Sequence, residues 1–483
     1  MSLVFYDTET TGLKAPFDQI LQFAAIRTDS DLNEIDRFEI RCRLLPHIIP
    51  SPGAMHVTGI TVAQLTDPSI PSHYEMVRAI RAKLLSWSPC NFLGYNSIGF
   101  DEHFFRQALY QTLHGPYLTN SDGNTRSDVM RIVQASTLFA PGAVRIPTDA
   151  QGHSVFKLDE VAPTNGFAHK NAHDAMADVE ATIFLSRLLM AKAPNLWSAS
   201  MRFSKKAAVT DYVENEQMVS LSDFYFGKGY SWLVTFLGVN PANSSEVYVY
   251  NLEVDPASLK NLKSGALAAR LVERPKPIRT MRSNAAPMLM AAEEAPDSAS
   301  GKKFGVEELE RRAEMLRSDP DFRNRLVAAF QGTKEETEPS PYVEEQIYDG
   351  FSSAEDAEVL EEFHRVEWNE RSDILEKLKD GRLKQLGRKL IHAERPEALD
   401  DATRRECDHT RAQRHLETTA AVPWLTLPKA ISEVDSLLLS ADKRSFTRLK
   451  EHRAYLVLCL GRAKASTSSK DVAKTPGSRR NAG

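Results

Sequence analysis

The sequence predicts an α/β protein that carries a smaller β-rich unit and a helical unit behind it. Three observations support this. Across residues 1–195, apolar runs that suit strands alternate with stretches of helical spacing. Across 196–280, short β-rich pieces replace that alternation. From about residue 304 onward, charged and apolar residues recur three and four apart, as on helix faces.

In order along the chain, strands are expected at 3–6, 20–27, 38–44 and 92–95, and helices at about 73–87, 101–113, 126–138 and 173–192. Residues 232–237 and 247–252 read as strands, the second alternating with period two, which suggests a small barrel or sandwich. Residues 283–303, rich in Ala, Pro, Ser and charge, read as a mobile connection or long surface loop. Pro339 and Pro341 interrupt the helical pattern. The end, rich in Ser, Lys, Arg and Gly, reads as a disordered tail. The expected units are 1–195, 196–345, 346–464 and a tail over 465–483.

With 483 residues the chain is too long for one core. It has no apolar run of the roughly 20 residues that a membrane span needs, and its start lacks a basic segment followed by an apolar stretch. Cys42, Cys90, Cys407 and Cys459 are scattered, which argues against a disulfide framework or a zinc site and fits a reducing cytoplasm. A net charge of −5 excludes a globally basic, histone-like binder but leaves room for a local basic track.

The chemistry concentrates in three places. Asp7 and Glu9 end an apolar strand two residues apart, so both point to one face. Two carboxylates held together repel unless a cation sits between them, and hard divalent cations favour oxygen ligands. Solvated acids at a strand end are the ordinary alternative. Asp101 opens an amphipathic helix, where it either favours the helix N-terminus or reaches back to a metal held by Asp7 and Glu9. His173 and Asp178 are five apart, roughly 140° around a helix, so both cannot lie on one helical face. His173 then belongs to the turn before the helix, and Asp174 reads as a helix N-terminal acid.

The wording around these residues resembles the bacterial exonuclease I family. The matching stretches are Gln22–Asp29, Pro52–Ala54, Thr58–Thr61, Gly94–Asn96, Phe100–Asp101 and Asn171–Val179, with Tyr342–Phe351 further on. The likeness is strong over about 1–360 and loose beyond. It implies a ribonuclease-H-like exonuclease domain, an SH3-like β-barrel domain and an α-helical C-terminal domain that encircle a single strand. It also implies 3′→5′ hydrolysis of single-stranded DNA in repair and recombination.

Carried over, Asp7, Glu9, Asp101 and Asp178 become the metal-binding acids for two Mg²⁺ ions, with Mn²⁺ as a substitute, and His173 the general base. Glu9, Thr10 and Thr11 would meet the terminal nucleotide. Lys157 stands where the family commonly has arginine, which keeps a phosphate contact but loses a bidentate one. Tyr225, Phe226 and Tyr230 are either base-stacking platforms or barrel core. The implied partners are single-stranded DNA and the C-terminal tail of single-strand binding protein, on a monomer. A proofreading subunit or short-RNA exonuclease would be near the size of 1–195 alone, and a catalytically dead binding module would have lost acids that are all present here. Because the catalytic residues precede position 180, a fragment ending near Asn195 is expected to cut short oligonucleotides unaided.

Overall fold

The computed structural model describes residues 2–168, 173–334, 338–419 and 421–468. Its first layer is a five-stranded mixed sheet built from β1 (Ser2–Thr10), β2 (Ile20–Thr28), β3 (Glu34–Arg41), β4 (Cys90–Gly94) and β5 (Thr125–Asp128). The strand order is β3-β2-β1-β4-β5; β1 is antiparallel to β2 and parallel to β4. Central β1 is apolar on both faces because both are covered. Leu3 and Phe5 pack into one core with Val179 and Ile183 of the helix Ala175–Lys192. Val4 and Tyr6 point the other way, into a core with Met76, Val77 and Ile80 of the helix His73–Trp87. Period two then carries Asp7 and Glu9 onto the side of the Ala175–Lys192 helix.

The second layer is a five-stranded antiparallel sheet of β6 (Val219–Tyr225), β7 (Lys228–Asn240), β8 (Asn243–Asn251), β9 (Ile278–Arg282) and β10 (Met288–Ala291), ordered β10-β6-β7-β8-β9. The helices Val306–Arg317 and Pro320–Gln331 cover one side, where Leu309, Leu316 and Phe322 meet Leu233, Tyr248 and Tyr250.

The loop expected over 283–303 needs correction. Residues 288–291 are strand β10, paired with β6. Met288 and Met290 enter the core of the first layer while Leu289 enters the barrel core, so β10 is a seam between the two units. Four strand residues inside an Ala- and Pro-rich stretch are too few for a sequence pattern to reveal. A similar difference affects β5, whose residues fall partly inside the helix expected from 126; that helix spans Val129–Phe139. Of the expected tail, residues 465–468 continue the helix Lys443–Ser468, and 469–483 lie outside the described residues.

The helical unit shares its core with the first layer. Tyr74, Tyr110 and Leu113 pack in one cluster with Val343, Phe363, Leu375 and Leu386. The loop that leaves β1 is held from the same side: Lys14 Nζ donates to the carbonyl of Pro423 at 2.7 Å, and the Phe17 ring meets those of Trp424 and Tyr342. A fragment ending near Asn195 would expose both this surface and the one against β10. The expected fragment would have to bear that exposure: the active-site residues are local in sequence, but the apolar faces behind them are not.

Candidate active site

The site forms where β1 ends beneath the start of the Ala175–Lys192 helix. Ligand-type oxygens of Asp7, Glu9 and Asp178 all lie within 4.8 Å of one another, and among the described residues no other set of three gathers this way. The pair on the strand and Asp178 in the first helical turn thus meet as their spacing anticipated. Asp174 is the helix N-cap, accepting from the Ala177 N–H, from Gln22 Nε2 at 3.2 Å and from Arg41 at 2.8 Å. His173 precedes it, exposed, in the left-handed region at φ 65°, in the turn where five-residue spacing placed it.

Asp101 is buried at the start of the helix Asp101–Gln111, beside the three acids but outside the tight group. One of its carboxylate oxygens accepts from both the N–H and the hydroxyl of Thr8, at 3.0 and 2.6 Å. Thr8 lies between Asp7 and Glu9 and points to the opposite face, so one strand presents two acids and anchors a third. Sequence reasoning missed Thr8. It also missed Arg41, which the strand register places in a cross-strand row with Glu9 and Gln22. Arg41 is a cation that lowers the cost of ionising Glu9.

The expected substrate contacts are distributed differently. The Thr10 hydroxyl donates to the Gly12 carbonyl, and the Thr11 hydroxyl donates to Asp18 while accepting the Gln19 N–H. Both hydroxyls shape the loop, so a sugar contact there falls to backbone groups. Lys157 precedes the helix Leu158–Thr164 and is largely exposed, with a 3.9 Å contact to Glu160. Tyr225 and Tyr230 are 47% and 43% exposed and Phe226 is 96% exposed, which removes the barrel-core alternative for all three.

Electrostatics show a site built for cations. Burial, with Asp101, Asp178 and Glu9 close by, holds the Asp7 carboxyl well above its ordinary range. Burial and the neighbouring acids push Glu9 up to about 8. Burial raises Asp101 and Asp178 to about 7, with Thr8 and His173 respectively opposing the shift. Crowded acids that retain protons are the response of a carboxylate cluster without its counter-ion, and oxygen-only donors suit hard divalent cations.

The folded-state values are raised, so the metal-free protein holds protons that the unfolded chain releases. The contribution of these groups is full below about pH 4 and is lost as pH rises through about 8. Asp178→Asn should therefore melt above the parent chain in EDTA, by about 1 °C per kcal/mol relieved for a chain of this length. Thermal melts should show that gap widening from pH 5 to 8 and closing when Mg²⁺ is added.

Acids gathered in this way on a ribonuclease-H-like sheet define a metal-dependent nuclease. Comparison with known proteins narrows the class. Residues 4–185 match the family described as Exonuclease, 204–332 the Exonuclease I SH3-like domain, and 341–458 the Exonuclease I C-terminal domain. Exodeoxyribonuclease I of Escherichia coli K12 is 30% identical over 371 residues, covering 74% of this chain and 77% of that protein. The crystal structure of E. coli exonuclease I with a dA16 oligonucleotide superposes with TM-score 0.80 at 26% identity, covering 95% and 99% of the two chains. The zinc-bound E. coli exonuclease I–ssDNA complex gives 0.77 at 26% identity, with the same coverage. A structure of SSB/exonuclease I with the inhibitor CFAM gives 0.78 at 25% identity, also with that coverage. The chain belongs to the exonuclease I family and is a hydrolytic exonuclease that depends on a divalent metal.

Proposed function

We propose that this chain removes nucleotides singly from the 3′ end of single-stranded DNA, releasing nucleoside 5′-monophosphates, in DNA repair and recombination. The convergence of Asp7, Glu9 and Asp178 within 4.8 Å, beside Asp101, carries the reading. Two Mg²⁺ ions, or Mn²⁺ in their place, would supply Lewis acidity to the attacking water and the departing 3′-oxygen. Asp7, Glu9 and Asp178 provide the charge that holds them. Asp101, fixed by Thr8, adds a fourth carboxylate next to Asp7. His173, exposed in the turn before the helix, takes the proton from water. Lys157 contacts a phosphate near the terminal nucleotide, and the Glu9 carboxylate and Thr10 backbone face its sugar.

The solved relative with SSB supports docking of the single-strand binding protein's C-terminal tail on this chain as well. No helix among the described residues is long and apolar enough to cross a membrane, and a cytoplasmic monomer is the reading that accompanies the rest. Product analysis tests the chemistry: nucleoside 5′-monophosphates should appear from the 3′ end, and a 3′-phosphate should slow the enzyme by crowding the acids. Release of 3′-monophosphates contradicts it.

A further inference from the structure

The helix Ala175–Lys192 carries Asp178, and its core residues Ala175, Val179 and Ile183 fix that acid against the sheet. His173 stands ahead of this packing, exposed, in a left-handed turn at φ 65°. Its N–H donates to Asp178, a carboxylate that the cations also use. The next residue, Asp174, ties the turn to the sheet.

Asp174 divides its carboxylate between two elements. Oδ1 accepts the Ala177 N–H at 3.4 Å and so caps the helix. Oδ2 faces the sheet, accepting Gln22 Nε2 at 3.2 Å and an Arg41 guanidinium nitrogen at 2.8 Å. The strand register explains why both donors arrive there. Glu9 pairs with Gln22 and Gln22 with Arg41, one row across β1, β2 and β3. Two and four residues further along β2, Ala24 and Ile26 pack with the helix, so the row lies on the face that meets it. Gln22 is buried and its amide also donates to Glu39 at 2.9 Å. Arg41 comes from the edge strand, with Nε 3.5 Å from the same Glu39 oxygen, and it brings the charge. Four residues back, Arg37 makes a similar reach to Glu180 at 3.2 Å, in the second turn of the helix and away from His173.

The side chains of Arg41 and Asp174 are 37% and 35% exposed. Ion pairs this open add little to folding stability. Catalysis is more sensitive, because displacing a reacting group by about 1 Å costs about 10²-fold in rate. A tether of small consequence for the fold can therefore be of large consequence for the reaction.

We infer that Arg41 is a positioning residue: bound to Asp174, it sets the turn from which His173 reaches the attacking water. The inference rests on the nuclease reading above, in which His173 is the base, and adds the residue that aims it. Arg41 acts through Asp174 and not on the substrate.

The test uses the full chain, in excess over a 5′-labelled single strand and at saturating Mg²⁺. Arg41→Met should lower the single-turnover rate about 10–100-fold. The enzyme concentration for half-maximal rate, the affinity for DNA in EDTA and the melting temperature should stay at parent values. Asp174→Asn should lose rate in the same way, and the double variant should lose little more than either single one, because the pair acts as a unit. Arg41→Lys should recover part of the rate, since an ammonium keeps the charge and lacks the fork. Arg37→Met should match the parent throughout. In a His173→Ala background, Arg41→Met should change the residual rate by less than about two-fold.

A parent-like rate in Arg41→Met overturns the proposal. So does the full loss recurring in the His173→Ala background, which would place the action of Arg41 elsewhere. A loss that more Mg²⁺ restores would place it on the cations. Weaker binding in EDTA, with a salt slope shallower by about 0.7, would make Arg41 a phosphate contact; either result also overturns the proposal. Failure of the parent chain to hydrolyse DNA in Mg²⁺ defeats the nuclease reading itself, and a parent-like rate in His173→Ala alone defeats the base assignment, whatever Arg41 does.

Discussion

Asp178→Ala is expected to lower the single-turnover rate of DNA hydrolysis by at least about 10³, or some 4 kcal/mol of transition-state stabilisation. Asp178 is one of three acids whose oxygens converge within 4.8 Å, and it approaches from the helix while Asp7 and Glu9 approach from the strand. Removing it leaves both remaining acids on one side of the cation site. The effect should therefore lie in the chemical step, not in holding DNA. Affinity for single strands in EDTA should be unchanged or higher, because a negative charge facing phosphate has gone. Quench-flow rates and anisotropy on the same preparation separate the two. A variant retaining more than about a tenth of the parent rate would remove Asp178 from the ligand set, since losing such a ligand should cost several kcal/mol.

His173→Ala is expected to cost about 10²–10⁴ in rate, the range for loss of a general base. The residue stands exposed in the turn before the helix, so folding and DNA affinity should stay near those of the parent. Its diagnostic is the pH–rate profile. The acidic limb, where a base is lost to protonation, should flatten in the variant. A limb of unchanged position and slope would show that another group takes the proton.

Most of this site was legible because its logic is local. An i,i+2 pair on a strand must share a face, and His173 and Asp178 at five residues cannot share one on a helix. The burial pattern of β1, with Leu3 and Phe5 on one side and Val4 and Tyr6 on the other, then decides which helix the acids meet. What escaped depends on register and on long-range packing. Thr8 reads as a filler between two acids until the fold brings Asp101 to it. The row Glu9–Gln22–Arg41 exists only once three strands are aligned. Strand β10 is four residues long and takes its stability from two cores that belong to different units. The same sharing of cores, at Tyr74, Tyr110 and Leu113, crosses the boundaries that the sequence pattern draws between units.

One acid cluster, loaded with metal, is expected to cut single-stranded DNA from its 3′ end. That is tested most directly by digesting a 5′-labelled single strand with and without Mg²⁺, beside the matching duplex. The single strand should give a ladder of shortened, still-labelled fragments in Mg²⁺ alone, with the duplex and the EDTA lane intact. Immediate release of the 5′ label as a mononucleotide, equal attack on the duplex, or cutting in EDTA would contradict it.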